Sequence, residues 1–149
     1  ELAIHFNWPN RIKVNGAYCG STFYQASTKL EDEVPEWLVL GISIPFLWNK
    51  SIESGNKPSE TVLSEEGCSV LTPNSLLESW SRHTLVWMNR FLDDGLLPIH
   101  NAWCEKCEDI GKKINYPVEG DFIGLDENGN MLLKKIKKTV VEKLINYMD

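Results

Sequence analysis

Phe6-Asn7-Trp8-Pro9-Asn10-Arg11-Ile12-Lys13-Val14-Asn15-Gly16 is the stretch whose reading decides the fold. Proline bars the α region to the residue before it, so Trp8-Pro9-Asn10 interrupts the alternating run Leu2, Ile4, Phe6 and sets a turn. Ile12-Lys13-Val14 alternates again. Asn15-Gly16 then supplies two residues that tolerate positive φ, which is what a two-residue hairpin turn requires. The partner strand is expected from Tyr18 to Ala26, broken at Gly20. Trp37 to Phe46 (WLVLGISIPF) is nearly all apolar, which predicts a central strand covered on both faces and stopped by Pro45. Residues 49–60 (NKSIESGNKPSE) make a polar connection long enough for a lid or a mobile segment.

The pattern then changes period. Thr72-Pro73 pairs an N-cap with proline at the first helical position. Leu77, Trp80, Thr84, Trp87, Met88 and Phe91 follow helical spacing, and Asp93-Asp94-Gly95 ends the segment. Its indole stripe is expected against the sheet. Arg82 and Arg90 are placed to pair with Glu78 and Asp94 at i,i+4, and His83 reads as a packing residue. A shorter helix runs from about Pro98 to Asp109 with Ile99, Ala102 and Trp103 on one face. Alternation returns in Lys113 to Pro117, Asp121 to Leu125 and Met131 to Ile136 around the Asp126-Glu127-Asn128-Gly129 turn, and Val140 to Tyr147 closes as a strand and a short helix. Strands segregated from helices in this way define an α+β class.

Composition limits the function. With 149 residues, 17.0 kDa and 42% hydrophobic residues, the chain has enough apolar matter for one compact domain and a small appendage. A net charge of −6 and pI near 5.1 argue against nucleic acid or an anionic membrane surface as partner. The cluster Lys134, Lys135, Lys137 and Lys138 reads as a solvated turn or edge strand guarded by lysines. No apolar run reaches the roughly 18 residues of a membrane span, and no signal peptide opens the sequence. The start at Glu1, strand-like at once, suggests a fragment. Cys104 and Cys107 have zinc or redox spacing, but Cys19 and Cys68 stand far apart, so the four cysteines are expected as free thiols in a reducing cytoplasm, with no metal. No P-loop, dinucleotide fingerprint, G-x-S-x-G or paired histidine motif is present, and His5, His83 and His100 are isolated from one another. Residue chemistry alone gives no complete catalytic constellation.

A resemblance goes further. Phe6 to Gly16 followed by Cys19-Gly20 resembles the K-W-P-N-D strand and turn, with the K-x-x-G element after it, of the biotin/lipoate–protein ligase family. Trp37 to Pro45 is similar to the next apolar strand of that family, and Leu76-Leu77-Glu78 through Gly95, Pro98 and Trp103 to its long and short helices. Gly111-Lys112-Lys113 with Gly120 to Asp126 resembles the small SH3-like module that closes many such ligases. The stretches Glu78 to His83 and Glu65 to Cys68 look most like a bacterial ligase-like subgroup. The resemblance implies a mixed or antiparallel sheet backed by helices over 1–109 and an SH3-like module over 110–149. It implies ATP and Mg as cofactors if the protein is active, biotin or lipoate as the acid, and a biotinyl or lipoyl carrier domain as partner. It also admits a homodimer.

The family reaction joins ATP and the acid into an acyl-adenylate, which a carrier lysine then attacks. Such a centre needs cations and backbone N–H groups around its dispersed negative charge. Mapped on the motif, the ligand-binding positions are Asn7, Trp8, Asn10, Arg11, Ala17, Gly20, Gly41 and Ser43. Here Asn7 stands for the leading Lys, Arg11 for the Asp, Ala17 for the Lys of K-x-x-G, and Ser43 for an Asn. The family's arginine- and glycine-rich phosphate loop has no counterpart in these residues. Arg11 or Lys13 is placed to return positive charge from a shifted position. Trp8 is either a pocket wall or a core residue, and Gly20 and Gly41 leave space for a flat ring on the sheet. Two functions stay open: a weakened ligase, and a module on the same scaffold that binds a ligand or partner without catalysis.

Overall fold

A computed structural model describes residues 2–30, 33–49, 59–135 and 138–147. The W-P-N turn joins β1 (Ile4–Asn7) to β2 (Arg11–Val14), and Asn15-Gly16, with φ of 49° and 90°, closes the hairpin to β3 (Ala17–Ala26). β4 (Leu38–Ser43) completes an antiparallel sheet in the order β1-β2-β3-β4. Gly20 does not break β3. Instead Ile12 pairs with Gly20 and Lys13 with Tyr18, so Cys19 is the extra residue of a bulge. β4 leaves β3 at the Ser21–Ser43 pair. The edge it vacates is taken by a later segment: Tyr18 N–H donates to the Ser59 carbonyl at 2.9 Å, and Thr61 N–H to the Tyr18 carbonyl at 2.8 Å.

Helix α1 (Pro73–Asp94) begins as expected, with a Thr72 capping box and Pro73 in the first turn. Helix α2 (Leu97–Lys106) follows, and its Trp103 stacks on Phe6 with centroids 6.4 Å apart. The chain then forms a second antiparallel sheet, β5 (Lys113–Ile114), β6 (Gly120–Leu125), β7 (Met131–Lys135) and β8 (Lys138–Glu142), paired in sequence order, and ends in a 3-10 turn, Leu144–Tyr147. Two sheets and two helices make the α+β fold that the residue pattern implied.

Two apolar clusters hold these parts. Val14, Cys19 and Leu63 are buried together, with Ile44, Phe46 and Leu76 packed around them. Trp8, Phe122, Met131 and Leu133 form the other, so the first sheet's turn enters the core of the second sheet.

Two expectations fail. β4 is an edge strand of its sheet, and Trp37, Leu38, Val39 and Leu40 are 40–53% exposed rather than covered on both faces. The indole stripe does not lie on the sheet either: α1 packs on α2 and through Leu76, and none of its residues is buried. An apolar run reports a preference for burial but not which element supplies it. Among the described residues no element covers these faces. Arg90 pairs with Asp94 at 3.8 Å, while His83 is exposed and its Nδ1 sits 2.7 Å from the Ser79 carbonyl. The proposed lid falls almost wholly outside the described residues, as do Ile136 and Lys137. No described helix is long and apolar enough to cross a membrane.

Candidate ligand-binding site

The W-P-N turn fixes the site by anchoring Asn10. Its side-chain amide donates to the Thr22 carbonyl at 2.8 Å, and Thr22 N–H donates to the Asn10 carbonyl at 2.9 Å. Arg11 thereby opens β2 directly opposite Ser21, and Ser21 is directly opposite Ser43 on β4. Residues facing each other across antiparallel strands share a face, so Arg11, Ser21 and Ser43 form one transverse row. All three line a cleft of about 510 Å³, which Gly20, Trp48 and Thr61 help to enclose. Gly20 is the tight point. At φ 151° its missing Cβ would lie 2.3 Å from the Ser43 carbonyl oxygen. Only glycine lets β3 pass the end of β4 there.

The cleft's positive charge comes from Arg11, and the Glu60 carboxylate lines the same cleft. The Arg11 guanidinium carbon lies 4.8 Å from the Tyr18 ring centroid and 4.7 Å from that of Tyr116. Lys13 has a different fate, because it hydrogen-bonds and ion-pairs with Glu108 just after α2. That hydrogen bond raises the Lys13 ammonium above its ordinary pKa and lowers the Glu108 carboxyl below its own. Lys13 is therefore neutralised locally, and of Arg11 and Lys13 only Arg11 lines the cleft.

The other mapped residues divide. Asn7 is buried and donates to Asp109, tying β1 to the segment after α2, and its Oδ1 has no hydrogen-bond partner among the described residues. Trp8 is 3% exposed, its Nε1 donates to the Gly129 carbonyl at 3.1 Å, and it meets Tyr147 edge-on at 5.1 Å. Its ring belongs to the core between the sheets. Ala17 pairs with Val14 at the hairpin's turn end, outside the cleft. The space expected above Gly41 is filled by Phe23, whose ring atoms lie 2.1 Å and more from where a Cβ would be. Asn10 opens onto a neighbouring cleft of about 630 Å³ that runs over Phe23 and Trp37.

The residue reading did not single out Ser21, Trp48 and Thr61. Ser21 was findable as the cross-strand neighbour of Arg11. Thr61 reaches the cleft because residues 59–61 take the edge at Tyr18, which sequence spacing does not encode. Trp48 Nε1 is buried without a hydrogen-bond partner among the described residues. Burial pushes the thiols of Cys19 and Cys107 up to about 11, away from reactive thiolate chemistry. Among the described residues no group of three His, Cys, Asp or Glu side chains is placed to hold a metal.

An antiparallel sheet with an arginine-bearing cleft beside its bulge, followed by a helix pair and a second small sheet, defines a class that comparison identifies. Residues 1–105 match the Biotin/lipoate A/B protein ligase family, and the chain belongs to that family. Among solved structures, a biotin protein ligase-like protein of unknown function from Silicibacter sp. is 35% identical with a TM-score of 0.87, covering 100% of this chain and 64% of that one. The apo biotin protein ligase of Aquifex aeolicus is 16% identical with a TM-score of 0.73, over 93% of this chain and 61% of that one. The same enzyme in complex with biotin and ATP gives 15% and 0.69, over 93% and 58%. The chain thus spans less than two thirds of the length of these structures. A search of the curated proteins found no match.

Proposed function

We propose that this chain forms the acid-binding part of a cytoplasmic biotin/lipoate ligase-like protein, with residues 1–109 as ligase-like scaffold and 110–149 as an SH3-like module. Its ligand is a biotin- or lipoate-like carboxylic acid, held in the cleft along the row Arg11, Ser21, Ser43. The observation that carries this reading is the cleft itself. It gathers Arg11, Gly20 and Ser43 from the mapped positions and places the cleft's arginine beside two hydroxyls. A carboxylate received there would gain charge-assisted hydrogen bonds from the guanidinium, and the ligand's apolar body would lie against Pro45, Leu47 and Trp48.

ATP-dependent activation of the acid and its transfer to a carrier-domain lysine is the family reaction, and we propose that it runs here in weakened form. Asn7 is neutral and pinned to Asp109, Ala17 brings no cation, and Lys13 is spent on Glu108. Losing a donor to developing negative charge typically slows such a step by about 10²–10³. The same substitutions favour the second reading, a scaffold that binds the acid without activating it. Calorimetric titration with biotin, lipoate and octanoate tests the shared claim. Saturable binding of at least one acid, weakened at least about tenfold by Arg11→Ala, is expected. Equal binding by wild type and Arg11→Ala would remove the acid from this cleft.

A further inference from the structure

We infer that Tyr116, on the connection between β5 and β6, works with Tyr18 as an aromatic clamp that aims the Arg11 guanidinium into the cleft, making the second sheet part of an oxyanion-selective site. This rests on the acid-binding reading and adds to it a charge selectivity and a dependence on residues 110–149.

Arg11 has two ring partners and, among the described residues, no carboxylate partner. That is a marked choice in a chain with 21 acidic and 15 basic residues. Lys13, two positions on, also lies over the Tyr18 ring, 5.3 Å from its centroid, but pairs with Glu108 as well. Glu60 also lines the cleft, so the site holds a carboxylate as well as the guanidinium. A guanidinium binds aromatic rings through its flat face, whereas its five N–H donors lie in its plane. Rings held against the faces would leave the in-plane donors for a planar oxyanion. The Ser21 and Ser43 hydroxyls continue the same row and supply further donors.

Tyr116 is 59% exposed, so the second sheet's core does not need its ring. Its ring meets the Arg11 guanidinium. It acts through Arg11, as a positioning residue, and fixes one rotamer of a long side chain before the ligand arrives. Pre-organisation of this kind lowers the cost of binding without a new contact to the ligand. The chemistry recognised is that of a carboxylate or a phosphate oxygen, and the two sources separate by experiment.

The test follows the arginine Nε–Hε resonance of Arg11 in the full chain, identified by its loss in Arg11→Lys, during titration with sodium biotin, biotin amide and inorganic phosphate. Movement with biotin and not with the uncharged amide is expected. Tyr116→Ala should weaken the biotin response about two- to tenfold, and Tyr116→Phe, which keeps the ring, should restore it. A backbone amide spectrum that stays dispersed confirms that Tyr116→Ala remains folded. An Arg11 resonance unmoved by both biotin and phosphate overturns the clamp, as does a Tyr116→Phe variant as weak as Tyr116→Ala. Equal responses to biotin and its amide overturn the charge selectivity. Movement with phosphate alone, lost in Tyr116→Ala, supports the clamp and overturns the acid-binding reading instead.

Discussion

Trp8→Ala should cost this protein much of its stability, because the indole is the wedge between its two sheets. The side chain is 3% exposed and packs with Phe122, Met131 and Leu133, none of which is measurably exposed. A buried indole removes about 200 Å² from water, worth roughly 5 kcal/mol at about 25 cal/mol per Å². Alanine keeps a little of that area, and partial collapse of the site returns more, which leaves about 3–5 kcal/mol for the substitution. The Gly129 carbonyl also loses the indole N–H that reaches it at 3.1 Å, for about 1 kcal/mol more if water does not enter. A total near 5 kcal/mol corresponds to a fall in Tm of about 10–20 °C for a chain of this size. Urea unfolding followed by far-UV circular dichroism reads it directly, with Trp8→Phe as a control that keeps most of the apolar area and should lose only about 1–2 kcal/mol. A loss below about 1 kcal/mol in Trp8→Ala, with acid binding abolished, would refute this reasoning and make the indole a pocket wall.

Three further outcomes are expected. Gly20→Ala forces a Cβ to within 2.3 Å of the Ser43 carbonyl, so it should cost about 1–3 kcal/mol in urea unfolding and reduce acid affinity by distorting the cleft; unchanged affinity and stability would mean that β3 and β4 part more widely. The Lys13–Glu108 pair should show a coupling of about 1 kcal/mol in a double-mutant cycle at pH 7. Because the Glu108 carboxyl is lowered from 4.5 and the Lys13 ammonium raised from 10.5, the coupling is full between these pH values. It fades as pH falls through the lower folded carboxyl pKa and again as pH rises through the higher folded ammonium pKa, whereas a coupling that vanishes at pH 6 would contradict the pairing. Leu85→Gln and Val86→Gln, at positions 60% and 63% exposed, should each change stability by less than about 0.5 kcal/mol while reducing binding of a dye that reports apolar surface; a loss above 2 kcal/mol would place a cover on that face of α1.

The features legible in the sequence are those with local causes. Trp8-Pro9-Asn10, Asn15-Gly16 and Thr72-Pro73 each dictate their own geometry, and each appears where the residue chemistry requires. The order of strands and helices follows from them. What failed was partnership. Trp37 to Leu40 and the face of α1 are apolar enough for a core, but nothing in their spacing states which element covers them, and no described one does. The candidate cleft was half legible for the same reason. Arg11, Gly20 and Ser43 were placed by motif position, and cross-strand register brought them to one cleft. Trp8 and Asn7 stand in the same motif, yet tertiary contacts from Gly129 and Asp109, more than 100 residues away, claim their polar atoms. Tyr116 was invisible, because its approach to Arg11 depends on how the second sheet docks.

Pyrophosphate exchange into ATP, measured on the full-length protein with biotin, lipoate and octanoate beside the Aquifex aeolicus ligase, bears most directly on the proposal of a weakened ligase whose cleft is lined by Arg11 and, among the described residues, by no lysine. An acid that binds saturably yet supports exchange roughly a hundredfold or more slower than in that ligase is the predicted result. Exchange as fast as in the Aquifex enzyme, with wild-type residues at positions 7, 11 and 17, would contradict it.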